Sequence, residues 1–253
     1  MINTSNHISF FGLMRSGNHA ILHFIYRQYN KPKAFLNNRD LYGNVKIGKS
    51  KWDVVSKGYN KKTNRELMLI SYEDKDISLI DYDRIVANRE SLIGRTEHNI
   101  NILCIRDPFN TFASRMTYKW TNGSIDSPKI VNLEMMPTMW KVYAKECLGI
   151  TNNVPNKIVA NFNSWLLSRA FRKKLSKELG QPFISKNWRL VTKEGGGSSW
   201  NEKGKNSSRR RLLRRWKHLK NDSLFRSFFK DDELWDLYEK LFDKIGEVKE
   251  LRE

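Results

Sequence analysis

The chain has 253 residues, of which 46 are Lys or Arg and 27 are Asp or Glu, giving a net charge of +19. This length suffices for one substantial domain with a full core, and a hydrophobic fraction of 39% excludes a largely disordered chain. The charge favours an anionic partner such as a nucleotide, a nucleic acid, a sulfated or phosphorylated substrate or a membrane surface, although basic residues also simply solvate surfaces.

Cysteine content and hydropathy narrow the class of protein further. The two cysteines, Cys104 and Cys147, indicate neither a disulfide framework nor a cysteine-based metal site. No apolar stretch approaches the ~20 residues that a membrane helix needs, and the polar first residues do not resemble a secretory signal. We therefore expect a single domain over residues 1–253, without a membrane span and located in the cytoplasm.

The order of apolar runs along the chain predicts an α/β fold. Four runs are typical of buried parallel strands, at residues 8–13, 67–71, 100–105 and 157–162. Helical spacing predicts helices over residues 20–29, 109–119, 133–148, 163–179, 209–220 and 224–242. This alternation indicates βαβ units, and hence a three-layer sandwich with a central parallel sheet.

Two polar segments interrupt this order. Residues 31–66 are polar with scattered glycines, which indicates a loop-rich insertion, and residues 193–208 contain a glycine run typical of a flexible loop. Residues 30–66 and 124–139 flank the motifs described next. We expect these two irregular segments to face an acceptor.

A glycine loop follows the first predicted strand. Gly12 and Gly17 lie five residues apart, the glycine frame of a phosphate-binding loop. A Walker A loop would continue with Lys and then Ser or Thr, whereas this chain has Asn18 and His19, and its cationic residue, Arg15, lies inside the loop. The pattern predicts a phosphate site without a metal-bound triphosphate, although an ordinary strand-to-helix turn fits the glycines alone.

A second strand-turn-helix follows the third predicted strand. Arg106 ends that strand, Asp107 and Pro108 form the turn, and Ser114 lies eight residues after the arginine. An arginine at a strand end and a serine on the adjoining helix can converge on one phosphate, although each residue taken alone would suit a surface or packing role.

These two motifs together resemble those of the PAPS-dependent sulfotransferases, whose donor is 3′-phosphoadenosine 5′-phosphosulfate. Residues 14–19 are similar to the family's P-[KR]-S-G-T-T motif, and residues 106–114 match its R-[ND]-P motif with a serine eight residues after the arginine. The motifs also occur in the family's order, with a strand between them. The resemblance implies a P-loop NTPase-like sulfotransferase fold.

The resemblance also implies a donor site that requires no metal and a product, 3′,5′-adenosine bisphosphate (PAP). The 5′-phosphate would be wrapped by a loop whose side chains and backbone come from Arg15, Ser16, Gly17, Asn18, His19 and Ala20. Arg15 would stabilise the sulfuryl group and the leaving phosphate, and Arg106 and Ser114 would bind the 3′-phosphate. Asn18 and His19 replace two threonines; the Asn18 amide can donate to a phosphate oxygen, and His19 brings an imidazole towards the sulfuryl group.

Transfer to an acceptor needs a general base, which the family supplies as His or Glu just after the strand between the two motifs. In this chain that position is Glu73, our first candidate, followed by Asp74 and then by His19. The alternative is that both acidic residues belong to a solvated turn or cap the next helix.

Two late segments complete the sequence predictions. By resemblance, residues 193–208 form a lid over the nucleotide, with Gly197, Ser198, Ser199 and Lys205 as contacts, although a surface loop fits almost as well. Residues 209–220 are strongly basic and suit an anionic acceptor, a nucleic acid or an anionic lipid. An amphipathic helix that packs through Leu212, Leu213 and Trp216 is the competing interpretation.

The sequence thus favours a sulfotransferase that acts on a hydroxyl or amine of a small-molecule or carbohydrate acceptor. Two alternatives stay open: a P-loop nucleotide kinase and a non-enzymatic basic module that binds nucleic acid. The missing Lys and Ser/Thr after Gly17 argue against the kinase, and the paired phosphate motifs argue against the module.

Overall fold

The computed structural model describes residues 2–30, 32–43, 53–55, 65–121, 133–185, 212–242 and 246–252. In these residues six strands form one sheet in the order β3-β2-β4-β1-β5-β6. Neighbouring strands are parallel except the β2–β3 pair, which is antiparallel. The strands are β1 (Ile2–Gly12), β2 (Lys33–Leu36), β3 (Val54–Val55), β4 (Arg65–Glu73), β5 (Arg95–Ile105) and β6 (Lys157–Asn161).

Helices cover both faces of this sheet. They are α1 (Asn18–Gln28), α2 (Tyr82–Ile93), α3 (Pro108–Thr121), α4 (Met136–Cys147), α5 (Phe162–Leu167), α6 (Arg169–Glu178), α7 (Ser223–Ser227) and α8 (Asp232–Leu241). One hydrophobic cluster joins the sheet to α1, α5 and α6, and another joins its opposite face to α3, α4 and α8. The three-layer α/β architecture with a parallel sheet is therefore confirmed.

Strand β1 is central because it is buried on both faces. Phe10 belongs to the cluster under α1, and its neighbour Phe11 belongs to the cluster on the other face, with both side chains fully buried. Successive strand residues point to opposite faces, so a strand buried on both sides has a continuous apolar run rather than alternation. This explains why the apolar run at 8–13 was readable as a strand.

Several predicted helices differ from the structure. The predicted helix over 163–179 is two helices, α5 and α6, because Ser168 has extended backbone angles (φ −107°, ψ 119°) and its side chain accepts a hydrogen bond from the N–H of Phe171, capping α6. The predicted helical region over 224–242 is likewise divided into α7 and α8. Between residues 212 and 220 the basic segment has a 3-10 turn, Arg215–His218, instead of the predicted helix.

Strands β2 and β3 and helix α2 were not predicted from the sequence. The segment treated as a loop-rich insertion contributes β2, a parallel strand whose residues are all buried beside β4. Helix α2 follows β4 and precedes β5 in the chain. The Asp81 side chain caps its start by accepting a hydrogen bond from the N–H of Arg84. Over the described ranges, no helix has the length and apolar character needed to cross a membrane.

Candidate functional site

Three adjacent strands end at the same edge of the sheet and bring the predicted motifs together. Strand β1 lies between β4 and β5, and Gly12 at its end pairs with Glu73 on one side and Cys104 on the other. The loop after β1, the acidic end of β4 and Arg106 after β5 therefore meet at one place. The carboxyl edge of a parallel sheet is where α/β proteins usually bind ligands.

The loop after β1 has the tight backbone expected of a phosphate cradle. Arg15 (φ 70°) and Gly17 (φ 88°) both adopt left-handed conformations, and the Ser16 N–H donates to the Leu13 carbonyl at 3.1 Å. A Cβ on Gly17 would lie 2.2 Å from the ring of Phe162. Glycine is therefore required there both by its backbone angle and by the close approach of that ring.

Helix α1 begins at this loop without a side-chain cap. Its N-cap residue is Gly17, which makes no side-chain hydrogen bond, so the first-turn N–H groups and the helix dipole favour an anion at this end. The N–H of Ala20 donates to the Gly17 carbonyl at 3.0 Å. Ala20, predicted as a nucleotide contact, thus closes the first turn, which leaves Asn18 and His19 as the first two N–H groups of the helix.

Three arginines converge around the hydroxyl of Ser114, which is fully buried on α3. Arg15 Nε donates to Ser114 Oγ at 3.3 Å, and Arg215 Nη1 donates to the same oxygen at 3.1 Å. Arg106 Nη1 donates to the Arg15 carbonyl at 3.1 Å. We call Arg15, Arg106 and Arg215 the arginine cluster.

The arginine cluster is electrostatically strained. Burial, together with the charges of Arg106 and Arg15, lowers the pKa of Arg215 to about 8. Burial and the charge of Arg15 lower the pKa of Arg106 to about 10, with Asp107 acting in the opposite direction. Buried like charges are costly unless a counter-ion neutralises them, and the Asp107 carboxylate acts in that direction on both Arg106 and Arg215. The three neighbouring guanidinium groups are donors of the kind that binds anions.

On the other side of the loop, Glu73 lies at the end of β4 with 8% of its surface exposed. Its Oε1 accepts a hydrogen bond from Asn18 Nδ2 at 2.8 Å, and His19 Nε2 lies 4.0 Å from the same oxygen. The Glu73 N–H donates to the side chain of Asn38, just after β2, at 3.1 Å. The carboxylate is thus held in place at the edge of the phosphate loop.

The Asn18 side chain differs from our expectation. Its Nδ2 donates to Glu73 and also, at 3.0 Å, to the Leu13 carbonyl. Both amide hydrogens are therefore used inside the protein rather than offered to a ligand. The part of Asn18 that an anion at the start of α1 would contact is therefore its backbone N–H.

Asp74, the second candidate for the base, is held in an ion pair. Arg115 forms a two-point ion pair with it, Nη1 to Oδ1 at 2.7 Å and Nη2 to Oδ2 at 3.1 Å, and the Met14 N–H donates to Oδ1 at 2.8 Å. Asp74 also has a left-handed backbone (φ 54°). Its carboxylate fixes the phosphate loop to α3, and its role as the second candidate for the base stays a prediction.

The structure therefore unites most of the predicted site and adds residues to it. Sequence reasoning missed Arg115 and Arg215, because a run of basic residues does not show which member folds inward. Ser16 is buried, and its carbonyl oxygen accepts a hydrogen bond from the Cys104 thiol at 3.9 Å. The predicted lid contacts Gly197, Ser198, Ser199 and Lys205 lie outside the described residues.

The described part of the basic segment both packs on the core and contributes a cation to the arginine cluster. Trp216 is buried in the core, as packing through that residue predicted, and the Leu212 carbonyl accepts a hydrogen bond from Arg106. Arg215 is 8% exposed and contributes to the arginine cluster, whereas Lys217 is exposed. In its described part, this segment contributes Arg215 to the arginine cluster; its binding of an anionic partner stays a prediction.

Comparisons with known proteins agree with the fold. No family model matches the chain, and no curated protein matches its sequence. The sulfotransferase domain of the Synechococcus PCC 7002 olefin synthase aligns with a TM-score of 0.51 at 11% identity over 95% of both chains. Mouse sulfotransferase SULT7A1 complexed with PAP aligns with a TM-score of 0.48 at 13% identity, over 92% of this chain and 88% of that one. The chain has the α/β fold of sulfotransferase domains, as the sequence resemblance implied.

Proposed function

We propose that this protein is a sulfotransferase that moves a sulfuryl group from PAPS to a hydroxyl or amine of its acceptor and releases PAP. The observation that carries the proposal is the arginine cluster on Ser114, which adjoins the glycine loop and faces Glu73 across it. In the proposed enzyme this arrangement would supply two anion sites and one carboxylate at the carboxyl edge of the sheet.

The donor set fits the anionic groups of PAPS. Arg106, Arg215 and Ser114 would hold the 3′-phosphate, since they form the buried part of the arginine cluster. The loop and the N–H groups of Asn18 and His19 would hold the 5′-phosphosulfate at the start of α1. Guanidinium and amide donors bind phosphate oxygens directly, and a guanidinium does so in two-point fashion.

Arg15 connects these two sites. Its Nε donates to Ser114, while its carbonyl accepts from Arg106, so its position depends on the same groups that would hold the 3′-phosphate. Its charge would neutralise the negative charge that builds up on the departing 5′-phosphate. Filling the 3′-phosphate site would thereby place the charge that assists transfer.

Glu73 would take the proton of the acceptor. PAPS supplies the sulfuryl group; the acceptor oxygen or nitrogen forms a bond to sulfur as the bond from sulfur to the bridging phosphate oxygen breaks, and that electron pair leaves with PAP. The acceptor proton passes to the Glu73 carboxylate. In-line positioning and charge stabilisation supply most of the catalysis in such a transfer, with the base adding about 10²- to 10⁴-fold.

An acceptor screen tests this proposal. The protein is incubated with PAPS and a panel of alcohols, amines and carbohydrates, and products that gain one SO₃ group are sought by mass spectrometry, with PAP formed in equal amount. For a detected acceptor, Glu73→Gln should lower turnover by about 100-fold or more while PAP still binds. Glu66→Gln, at the opposite end of the same strand, is the matched control. Phosphate transfer from ATP by the protein, or full activity of Glu73→Gln, would contradict the proposal.

A further inference from the structure

We propose that Asn18 is a positioning residue for Glu73, joining the phosphate loop to the base through its side-chain amide. The inference rests on the proposed function, because it assigns Glu73 the role of base. It concerns the one loop residue whose side chain contacts both the loop backbone and the carboxylate in the described structure.

The contacts of Asn18 are specific and buried. The residue is 2% exposed, and its Nδ2 donates to the Leu13 carbonyl at 3.0 Å and to Glu73 Oε1 at 2.8 Å. Leu13 belongs to the loop and Glu73 to the end of β4. A single amide nitrogen therefore links two elements that would hold different reactants, the nucleotide and the acceptor.

The orientation of the amide is fixed by its neighbours. Both groups near Nδ2 are acceptors, so turning the amide over would place its oxygen against a carbonyl and a carboxylate. The Asn18 Oδ1 atom is buried without a hydrogen-bond partner in the described residues, a cost that the two N–H bonds must offset. Retaining this arrangement despite an unpaired oxygen points to a role for the amide at Glu73.

The backbone around Asn18 accommodates the amide. A Cβ on Gly12 would lie 2.4 Å from Asn18 Oδ1, so a glycine at the end of β1 leaves the space that the side chain occupies. Gly12 is also the register partner of Glu73. The glycine at position 12, the amide and the carboxylate thus form one packed unit.

This unit has a consequence for transfer. The amide holds one oxygen of the carboxylate in place and limits the rotation of the Glu73 side chain. His19 Nε2, 4.0 Å from the same Oε1, is the other polar group on that oxygen. Asn18 is also the first residue of α1, so its backbone N–H lies at the proposed phosphate site. A shift of the loop on nucleotide binding would therefore move the side-chain amide that contacts Glu73.

Two substitutions test the inference. Asn18→Ala removes the donor, and Asn18→Asp keeps the shape but places a second carboxylate against Glu73. Asn101→Ala is the matched control, since Asn101 is also a buried asparagine with amide hydrogen bonds, to Tyr82 and Pro155, distant in register from the site. Thermal melting verifies that each variant folds.

We expect Asn18→Ala to lower kcat about 10- to 100-fold, the effect of losing a hydrogen bond to a charged group. KM for PAPS and the affinity for PAP should change much less, because the backbone N–H remains. In Asn18→Asp the acidic limb of the pH–rate profile should move to higher pH, since a neighbouring carboxylate disfavours ionisation of the base. Asn101→Ala should keep both the rate and the profile.

The outcomes separate this inference from the proposed function. If the parent protein transfers sulfuryl groups and Glu73→Gln is impaired, but both Asn18 variants keep the parent kcat and pH profile, Asn18 does not position the base and the inference is wrong. Loss of PAP binding in proportion to kcat would also overturn it, by showing that Asn18 serves the loop alone. If the parent protein binds no PAP and transfers no sulfuryl group, the proposed function itself fails.

Discussion

Two glycines with left-handed backbones, Gly17 in the phosphate loop and Gly180 after α6, differ in what surrounds them. Gly17 combines a left-handed backbone with the ring of Phe162 at 2.2 Å from a hypothetical Cβ, whereas Gly180, after α6, has a left-handed backbone with nothing within 4 Å. Gly17→Ala should therefore destabilise the protein by more than the roughly 1 kcal/mol expected for Ala at a positive φ. Gly180→Ala isolates the backbone part, and urea unfolding measures both. Equal losses in the two variants would contradict the role of the Phe162 contact.

Arg215 gives a second prediction at this scale. Arg215→Gln should weaken PAP binding about 10- to 100-fold, because it removes a charge-assisted contact to phosphate. The same substitution at Lys217, an exposed residue two positions later, provides the control. Calorimetric titration measures both variants. Equal effects at the two positions would indicate a diffuse electrostatic contribution rather than a built site.

Individual site residues were predictable where they follow a strand directly. Arg15, Glu73 and Arg106 lie at the carboxyl ends of adjacent parallel strands. The motifs and the family resemblance, read together with the predicted strands, had placed them in one site. Arg215 lies 101 residues after Ser114 in the sequence, and the fold of the chain brings the two side chains together. No local pattern separates it from the basic residues around it, so its role required the structure.

At the scale of elements, the errors have local causes. Helix α2 was missed because its buried face pairs Ile85 with Arg89 one turn later, so its apolar periodicity is weak. The break between α5 and α6 depends on the cap by Ser168, and serine in a helical pattern does not by itself indicate a break. The strands were identified because apolar runs on buried parallel strands need no alternation.

The polar contact between β1 and α2 gives a pH prediction. His7 on β1 is fully buried, and burial, with the charge of Arg89 on α2 as a smaller cause, holds its pKa well below 6.5. The unfolded chain therefore binds a proton at His7 first as the pH falls below about 6.5. Stability contributed by neutral His7 is complete above that pH and decreases below it, by up to about 2 kcal/mol by pH 5.

His7→Gln tests this account, because glutamine does not titrate. The loss of unfolding free energy between pH 7 and pH 5, measured by urea denaturation, should be smaller in His7→Gln than in the parent protein. His98→Gln replaces an exposed histidine on β5 and should retain the parent's loss. An unchanged pH dependence in His7→Gln would show that the buried imidazole does not control acid stability.

For the whole molecule, the net charge of +19 indicated an anionic partner but no particular one. The positions of the charged residues carry more information than their number. Arg106 and Arg215 are buried in the arginine cluster, whereas ion pairs such as that of Lys220 with Glu250 lie on the surface. The three-layer fold was predictable from chain order, since strands that alternate with helices pack in few ways. The segments at 30–66 and 124–139 lie only partly within the described residues, and their role in facing an acceptor stays a prediction.

Nucleotide binding without a metal ion is the most direct test of the central claim. We predict that PAP binds tightly in calorimetric titrations with Mg²⁺ removed by a chelator, and that ATP binds weakly with or without Mg²⁺. The Lys and Ser/Thr that would bind a metal-bound triphosphate are replaced by Asn18 and His19, whereas the arginine cluster suits a second phosphate. Mg²⁺-dependent ATP binding tighter than PAP binding would indicate a kinase and contradict the account. Salt-sensitive binding of nucleic acid with neither nucleotide bound would contradict it as well.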